Sequence, residues 1–118
     1  MPEFKVVVSD PKTGKSQQIE VKGDRAQKLL GLKIGDIFDG SIIGLPGKKL
    51  MITGGSGRAG EPMRPDIPGG VKKRILLSEP PGYWPEKKGL RKRKLVRGNV
   101  ITEEIVQINT KIVHEKES

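Results

Sequence analysis

Val106-Gln107-Ile108-Asn109-Thr110-Lys111-Ile112-Val113 alternates along its length, with Val106, Ile108, Thr110 and Ile112 on one face and Gln107, Asn109 and Lys111 on the other. A period of two belongs to a strand with one face in a core and one in water. Outward from this stretch, similar signals recur. Phe4-Lys5-Val6-Val7-Val8 is a β-branched run stopped by Ser9-Asp10-Pro11, and Gln17-Gln18-Ile19-Glu20-Val21 alternates back, with Thr13-Gly14-Lys15 as the hairpin loop. Ser41 to Leu45 and Lys49 to Thr53 read as two strands joined around Pro46-Gly47, and Val71 to Leu77 and Val100-Ile101 as two more. Leu32 to Gly40 is cut by Gly and Asp into short apolar pieces with tight turns. One helix is expected over Arg25 to Leu30, with Asp24 as its cap and Gly31 as its stop. The pattern predicts a mainly β fold: a small closed or partly open β-barrel with one short helix and two long basic or Gly/Pro-rich loops. Residues 1–118 are read as a single domain, with a frayed tail over 114–118.

Composition excludes several classes. The 118 residues contain no Cys, so neither a disulfide framework nor a thiolate metal site exists. A single His rules out a two-His metal motif. No apolar run approaches the ~20 residues of a membrane helix, and the N-terminal stretch lacks a charged-then-apolar leader. His114 has no obvious partner, Asp36 and Asp39 fit turns, and no paired acids or nucleophile–base set stand out. We expect no enzyme, no cofactor, no metal, no small-molecule substrate and no membrane.

Charge is the most informative feature. The formal net charge is +9. Ten of the 23 Lys and Arg lie between Lys72 and Arg97, against only Glu79 and Glu86. That concentration suits a surface for polyanion phosphates. Lys87, Lys88, Arg91, Lys92, Arg93, Lys94 and Arg97 carry no acid among them, and the stretch 78–98 reads as an extended basic loop that orders on nucleic acid. Arg forks onto phosphate oxygens or stacks on a base, and Lys acts as a point charge. Beside the run stand Tyr83 and Trp84, the only Tyr and Trp of the chain. They either clamp the loop onto the barrel or stack on bases.

The second loop, Gly54 to Gly70, is rich in Gly and Pro. It lacks the Gly-Lys-Ser/Thr ending of a P-loop, and Pro62 and Pro65 forbid the helix that should follow. Gly54, Gly55, Gly57 and Gly60 instead suit close approach of the backbone to RNA, with Arg58, Arg64, Lys72, Lys73 and Arg74 adding cations.

Two motifs carry a family resemblance. Ile52-Thr53-Gly54-Gly55-Ser56-Gly57-Arg58-Ala59-Gly60-Glu61-Pro62-Met63 resembles the S6e family of small-subunit ribosomal proteins of archaea and eukaryotes. The family pattern is aliphatic, small polar, Gly-Gly, one variable residue, Asp, two more, Gly, one more, Pro-Met. Gly57 stands where the family carries Asp. Arg91-Lys92-Arg93-Lys94-Leu95-Val96-Arg97-Gly98 is similar to the family's Arg-Lys-Arg-Lys-x-Val-Arg-Gly element, and Val71 to Ser78 to the strand before it. The chain looks like the short archaeal form, without the long phosphorylated C-terminal helix of eukaryotic members. The resemblance implies a β-barrel, no catalysis, binding to small-subunit ribosomal RNA beside neighbouring ribosomal proteins, and a cytoplasmic, ribosomal location, with a monomer when free. The alternative is a free-standing RNA- or DNA-binding module, such as a translation factor or chromatin protein. A small nucleotide-acting enzyme would need a constellation of His and carboxylates that the sequence lacks.

Overall fold

A computed structural model describes residues 3–77 and 92–114. Seven strands occur among them: β1 (Glu3–Ser9), β2 (Ser16–Lys22), β3 (Ile37–Asp39), β4 (Lys49–Gly57), β5 (Lys72–Leu77), β6 (Lys92–Arg97) and β7 (Ile105–Val113). The one α-helix among them is α1 (Asp24–Gln27). The fold is mainly β, with a five-stranded sheet in the order β2-β1-β7-β4-β3 curled into a half-barrel, so the partly open form of the expected barrel is the one observed. Only β1 and β7 run parallel in that sheet; the other pairs are antiparallel.

The β1–β2 hairpin closes as its sequence predicts. Asp10 N–H donates to Lys15 O at 2.8 Å and Gly14 N–H to Asp10 O at 2.8 Å, with Gly14 at φ 73°, where a side chain would be strained. Phe4, Val6 and Val8 point inward on β1, meeting Leu50 and Ile52 of β4, Ile108 and Ile112 of β7, and Leu29 and Ile101 in one core. Thr110 is buried on that face too, and its Oγ1 donates to Val7 O at 2.9 Å, which satisfies the hydroxyl.

Val106 departs from the expected inward face. The β4–β7 register shifts between Ser56 and Gly57, so two β7 residues oppose one on β4, and Ile105 takes the buried place. The expected strand at Ser41–Leu45 is also corrected. Gly40–Ile43 is a 3-10 helix, because the Asp39 carboxylate accepts a hydrogen bond from Ser41 N–H at 2.9 Å and caps the turn. That local bond outweighs the β preference of Ile42 and Ile43. Asp24 is the first residue of α1 rather than its cap, and the helix stops three residues sooner than expected. Val100 forms only an isolated bridge to Lys33.

Both expected long loops change. Gly54 to Gly70 is not free chain: β4 runs on through Gly57, and the segment turns and comes back beside it. Met63 N–H donates to Gly55 O at 2.9 Å, and Ser56 bridges Pro62. The returning residues then hold β6, with Arg97 N–H donating to Pro62 O at 2.8 Å and Arg64 N–H to Arg97 O at 3.0 Å. Of the basic loop, Lys92–Arg97 is strand β6, paired antiparallel with β5 in a two-stranded arm. Residues 78–91 lie outside the described residues. Ile75, Leu77 and Val96 form a second cluster with Ile67 under this arm. Residues 115–118 of the expected frayed tail lie outside the described residues, and His114 Nε2 lies 2.9 Å from Asp10 Oδ1. That bond, first among its causes, holds the Asp10 carboxyl below its ordinary value.

Candidate nucleic-acid interface

The arm gathers cations because of its register. Opposite residues of an antiparallel pair share a face. Lys73 faces Val96, and Ile75 faces Lys94, so these four share the side that carries the apolar cluster. The other side holds Lys72 with Arg97, Arg74 with Leu95, and Leu76 with Arg93. Lys72, Lys73, Arg74 and Arg93 are exposed. Lys73, Arg74, Arg93 and Lys94 make no ion pair among the described residues.

Arg97, also expected as an RNA contact, lies in the interior. Its side chain is 5% exposed, with Nε donating to Glu61 Oε1 at 2.9 Å and Nη1 to Glu104 Oε2. Burial pushes its proton affinity down, and the two carboxylates more than reverse that. Burial pushes the Glu61 carboxyl up, but backbone hydrogen bonding and the Arg97 guanidinium outweigh it, leaving the acid below its ordinary range. Glu104 is likewise held low, mainly by its hydrogen bond from Arg97. Arg64 is also buried, and its Nε and Nη2 donate to the two oxygens of Asp66 at 2.9 and 3.1 Å. Both arginines are buried and engaged by carboxylates of this chain.

The glycines divide in the same way. A Cβ on Gly55 would collide with the Gln107 carbonyl and stand 2.9 Å from Met63 Sδ. One on Gly57 would overlap the Glu61 carboxylate and stand 3.0 Å from Arg97 Nε. Internal packing therefore explains these two without any outside backbone. At Gly57 the missing side chain leaves room for the Glu61 carboxylate on Arg97. Gly54 is half-buried with only Asn109 near, and Gly60 is exposed at φ 83° with open space around it. Arg58, in the same turn, is exposed.

Gly60 and Lys94 line one hollow between the glycine turn and β6, and Arg58 and Lys72 both lie near Glu104. Tyr83, Trp84, Lys87, Lys88 and Arg91 lie outside the described residues, as does the side chain of Lys92. Sequence reasoning missed Glu61, Asp66 and Glu104 as the partners that remove Arg97 and Arg64 from the surface. The signal was that Glu61 is the only acid between Gly40 and Pro65. No cluster of His, Asp or Glu able to hold a metal occurs among the described residues. No helix among them is long and apolar enough to cross a membrane.

Fold and site together define a class: a basic, mainly β protein that presents a cationic two-stranded arm beside a glycine turn. Within that class the particular kinship is plain. The family model for ribosomal protein S6e matches residues 4–118, and the chain belongs to that family. Among its relatives, the small ribosomal subunit protein eS6 of Pyrobaculum aerophilum is 58% identical over 122 residues, covering 99% of this chain and 82% of that protein. The protein of the same name from Caldivirga maquilingensis is 56% identical, over 97% of this chain and 79% of its own length. That of Methanocaldococcus jannaschii is 58% identical, over 96% and 84%.

Proposed function

We propose that this chain is a structural constituent of the small ribosomal subunit that grips ribosomal RNA with its β5–β6 arm and the turn after β4. One observation carries the reading. Arg74 and Arg93 stand on one face of the arm and Lys73 and Lys94 on the other, none of them in an ion pair among the described residues, while Arg97 engages the nearby acids Glu61 and Glu104. Exposed cations concentrated on one arm suit a polyanion. The names and similarity of the relatives support ribosomal RNA and neighbouring ribosomal proteins as partners, on cytoplasmic ribosomes. Arg58, Lys72, Gly54 and Gly60 extend the surface, and Tyr83, Trp84, Lys87, Lys88, Arg91 and Lys92 complete the contact expected from sequence. Phosphate contacts position a protein without specifying sequence, so base preference is weak. The chain works as a scaffold, with no reaction of its own.

Sucrose-gradient fractionation after a moderate salt wash tests the reading. The chain should remain with the small subunit, and replacement of Arg93 and Lys94 by Ala should release it while leaving its thermal melt nearly unchanged. A chain found at the top of the gradient, bound to other nucleic acid, would make it a free-standing module instead.

A further inference from the structure

The outer side of the arm carries more apolar surface than phosphate binding needs. Leu76 is 55% exposed, opposite exposed Arg93, and half-buried Leu95 lies opposite exposed Arg74. The four form a checkerboard of two leucines and two arginines. Leu95 also lines a hollow of about 280 Å³, walled by Ala59, Gly60, Glu61, Pro62 and Lys94, between the glycine turn and β6. Pro62, Ala59 and Leu95 supply the apolar part of a wall that is polar elsewhere. Gly60 leaves its rim open, and Lys94 brings a positive charge.

We infer that this hollow and the adjoining Leu76–Arg93 face seat an unstacked nucleotide of the bound RNA, its base against Leu95 and Pro62 and its phosphates toward Arg74 and Arg93. The inference rests on the RNA reading above and adds the state of the RNA. A regular RNA duplex keeps its bases in the stack and presents phosphates and riboses. Against it, Leu76 and Leu95 would face polar backbone and gain nothing. A bulged or looped base has an apolar face that removes these side chains from water, while Arg can lie over its plane. Charge selects the occupant: Arg74 and Arg93 share the Leu95–Leu76 face, Lys94 lines the hollow, and the one acid in the wall, Glu61, is paired with Arg97. A neutral apolar protein segment would leave those cations uncompensated.

The test uses the full chain and two RNAs, a paired duplex and the same duplex with one bulged fluorescent purine analogue, followed by anisotropy and by emission of the bulged base. Wild type should bind the bulged RNA roughly 5–20-fold tighter, with a change in its emission. Leu76→Ser, at an exposed position, should remove much of that preference without changing the thermal melt. Leu95→Ser should remove more, with folding checked by circular dichroism. Affinity for the paired duplex and its salt dependence should stay as in wild type for both. Equal binding of the two RNAs, or an undiminished preference in both variants, overturns the inference. If Arg74→Ala and Arg93→Ala then still weaken both RNAs, phosphate gripping stands alone. Failure of either RNA to bind at all sinks the broader RNA reading as well. Leu76→Ser variants that keep the preference but lose a neighbouring protein in reconstituted subunits would give the face to protein, which also overturns it.

Discussion

Arg97 Nη2 stands 2.9 Å from Glu61 Oε1, with both side chains at 5% exposure or less, and this pair joins the glycine turn to the arm across 36 residues of sequence. Each member depends on the other: a buried charge without its partner is costly, whereas a hydrogen-bonded pair is tolerated. The pair therefore fixes where the cationic arm sits against the sheet. Glu61 Oε2 is also used, accepting from Ala59 N–H at 3.0 Å, so the carboxylate holds its own turn as well.

Removing one partner should be severe. Glu61→Ala should destabilise the chain by about 3–5 kcal/mol in urea unfolding, because it leaves the Arg97 guanidinium buried with only the more exposed Glu104. A loss below about 1 kcal/mol, as is usual for surface pairs, would show that the pair does not hold the arm.

Gly57→Asp should also destabilise, by about 1–3 kcal/mol, because the new side chain enters the space of the Glu61 carboxylate. In a Glu61→Ala background the same Asp should instead rescue stability, since its carboxylate would reach toward Arg97. A double-mutant cycle should show coupling of about 2 kcal/mol. Strictly additive losses would separate the two positions.

Acid should weaken the chain through the same pair. The folded Glu61 carboxyl titrates below its ordinary 4.5, so the unfolded chain takes up its proton first as pH falls. The stabilisation is complete well above pH 4.5 and is lost as pH drops through the folded value. Asp10, held low by His114, acts in the same direction. Urea midpoints measured from neutral pH downward should fall in wild type and fall less steeply in Glu61→Gln. Parallel curves would assign the acid sensitivity elsewhere.

RNA affinity should depend steeply on salt. With about 5–8 phosphates neutralised, log K should fall against log salt with a slope of about −4 to −7. Replacing Arg74 and Arg93 by Ala should reduce that slope by about 2, whereas Arg64→Ala, which removes a side chain already engaged by Asp66, should leave it unchanged and lower stability instead. Filter-binding titrations at several KCl concentrations separate the two behaviours.

Much of the architecture was legible in short-range pattern. The alternation of β2, the β-branched run of β1 and the turn at Gly14 form as their residues predict, because strand and hairpin preferences act over a few neighbours. Ser41–Leu45 misled because the deciding bond comes from Asp39, outside the apolar run. Val106 misled because a bulge opposite Gly57 reverses which side points inward, and a bulge is a property of two strands. Charge density pointed to Lys73, Arg74 and Arg93, and these three lie exposed. Arg97 and Arg64, equally basic in the sequence, proved to be interior.

By itself the sequence determined the mainly β composition, the family, and the concentration of positive charge between Lys72 and Arg97, since each follows from residue type and spacing along the chain. Only the tertiary structure decided which cations face outward, that Gly55 and Gly57 make room for this chain's own atoms, and that the glycine turn meets the arm. Those outcomes depend on which side chains lie opposite one another after folding, and a buried acid such as Glu61 turns a neighbouring arginine from a surface charge into part of the interior.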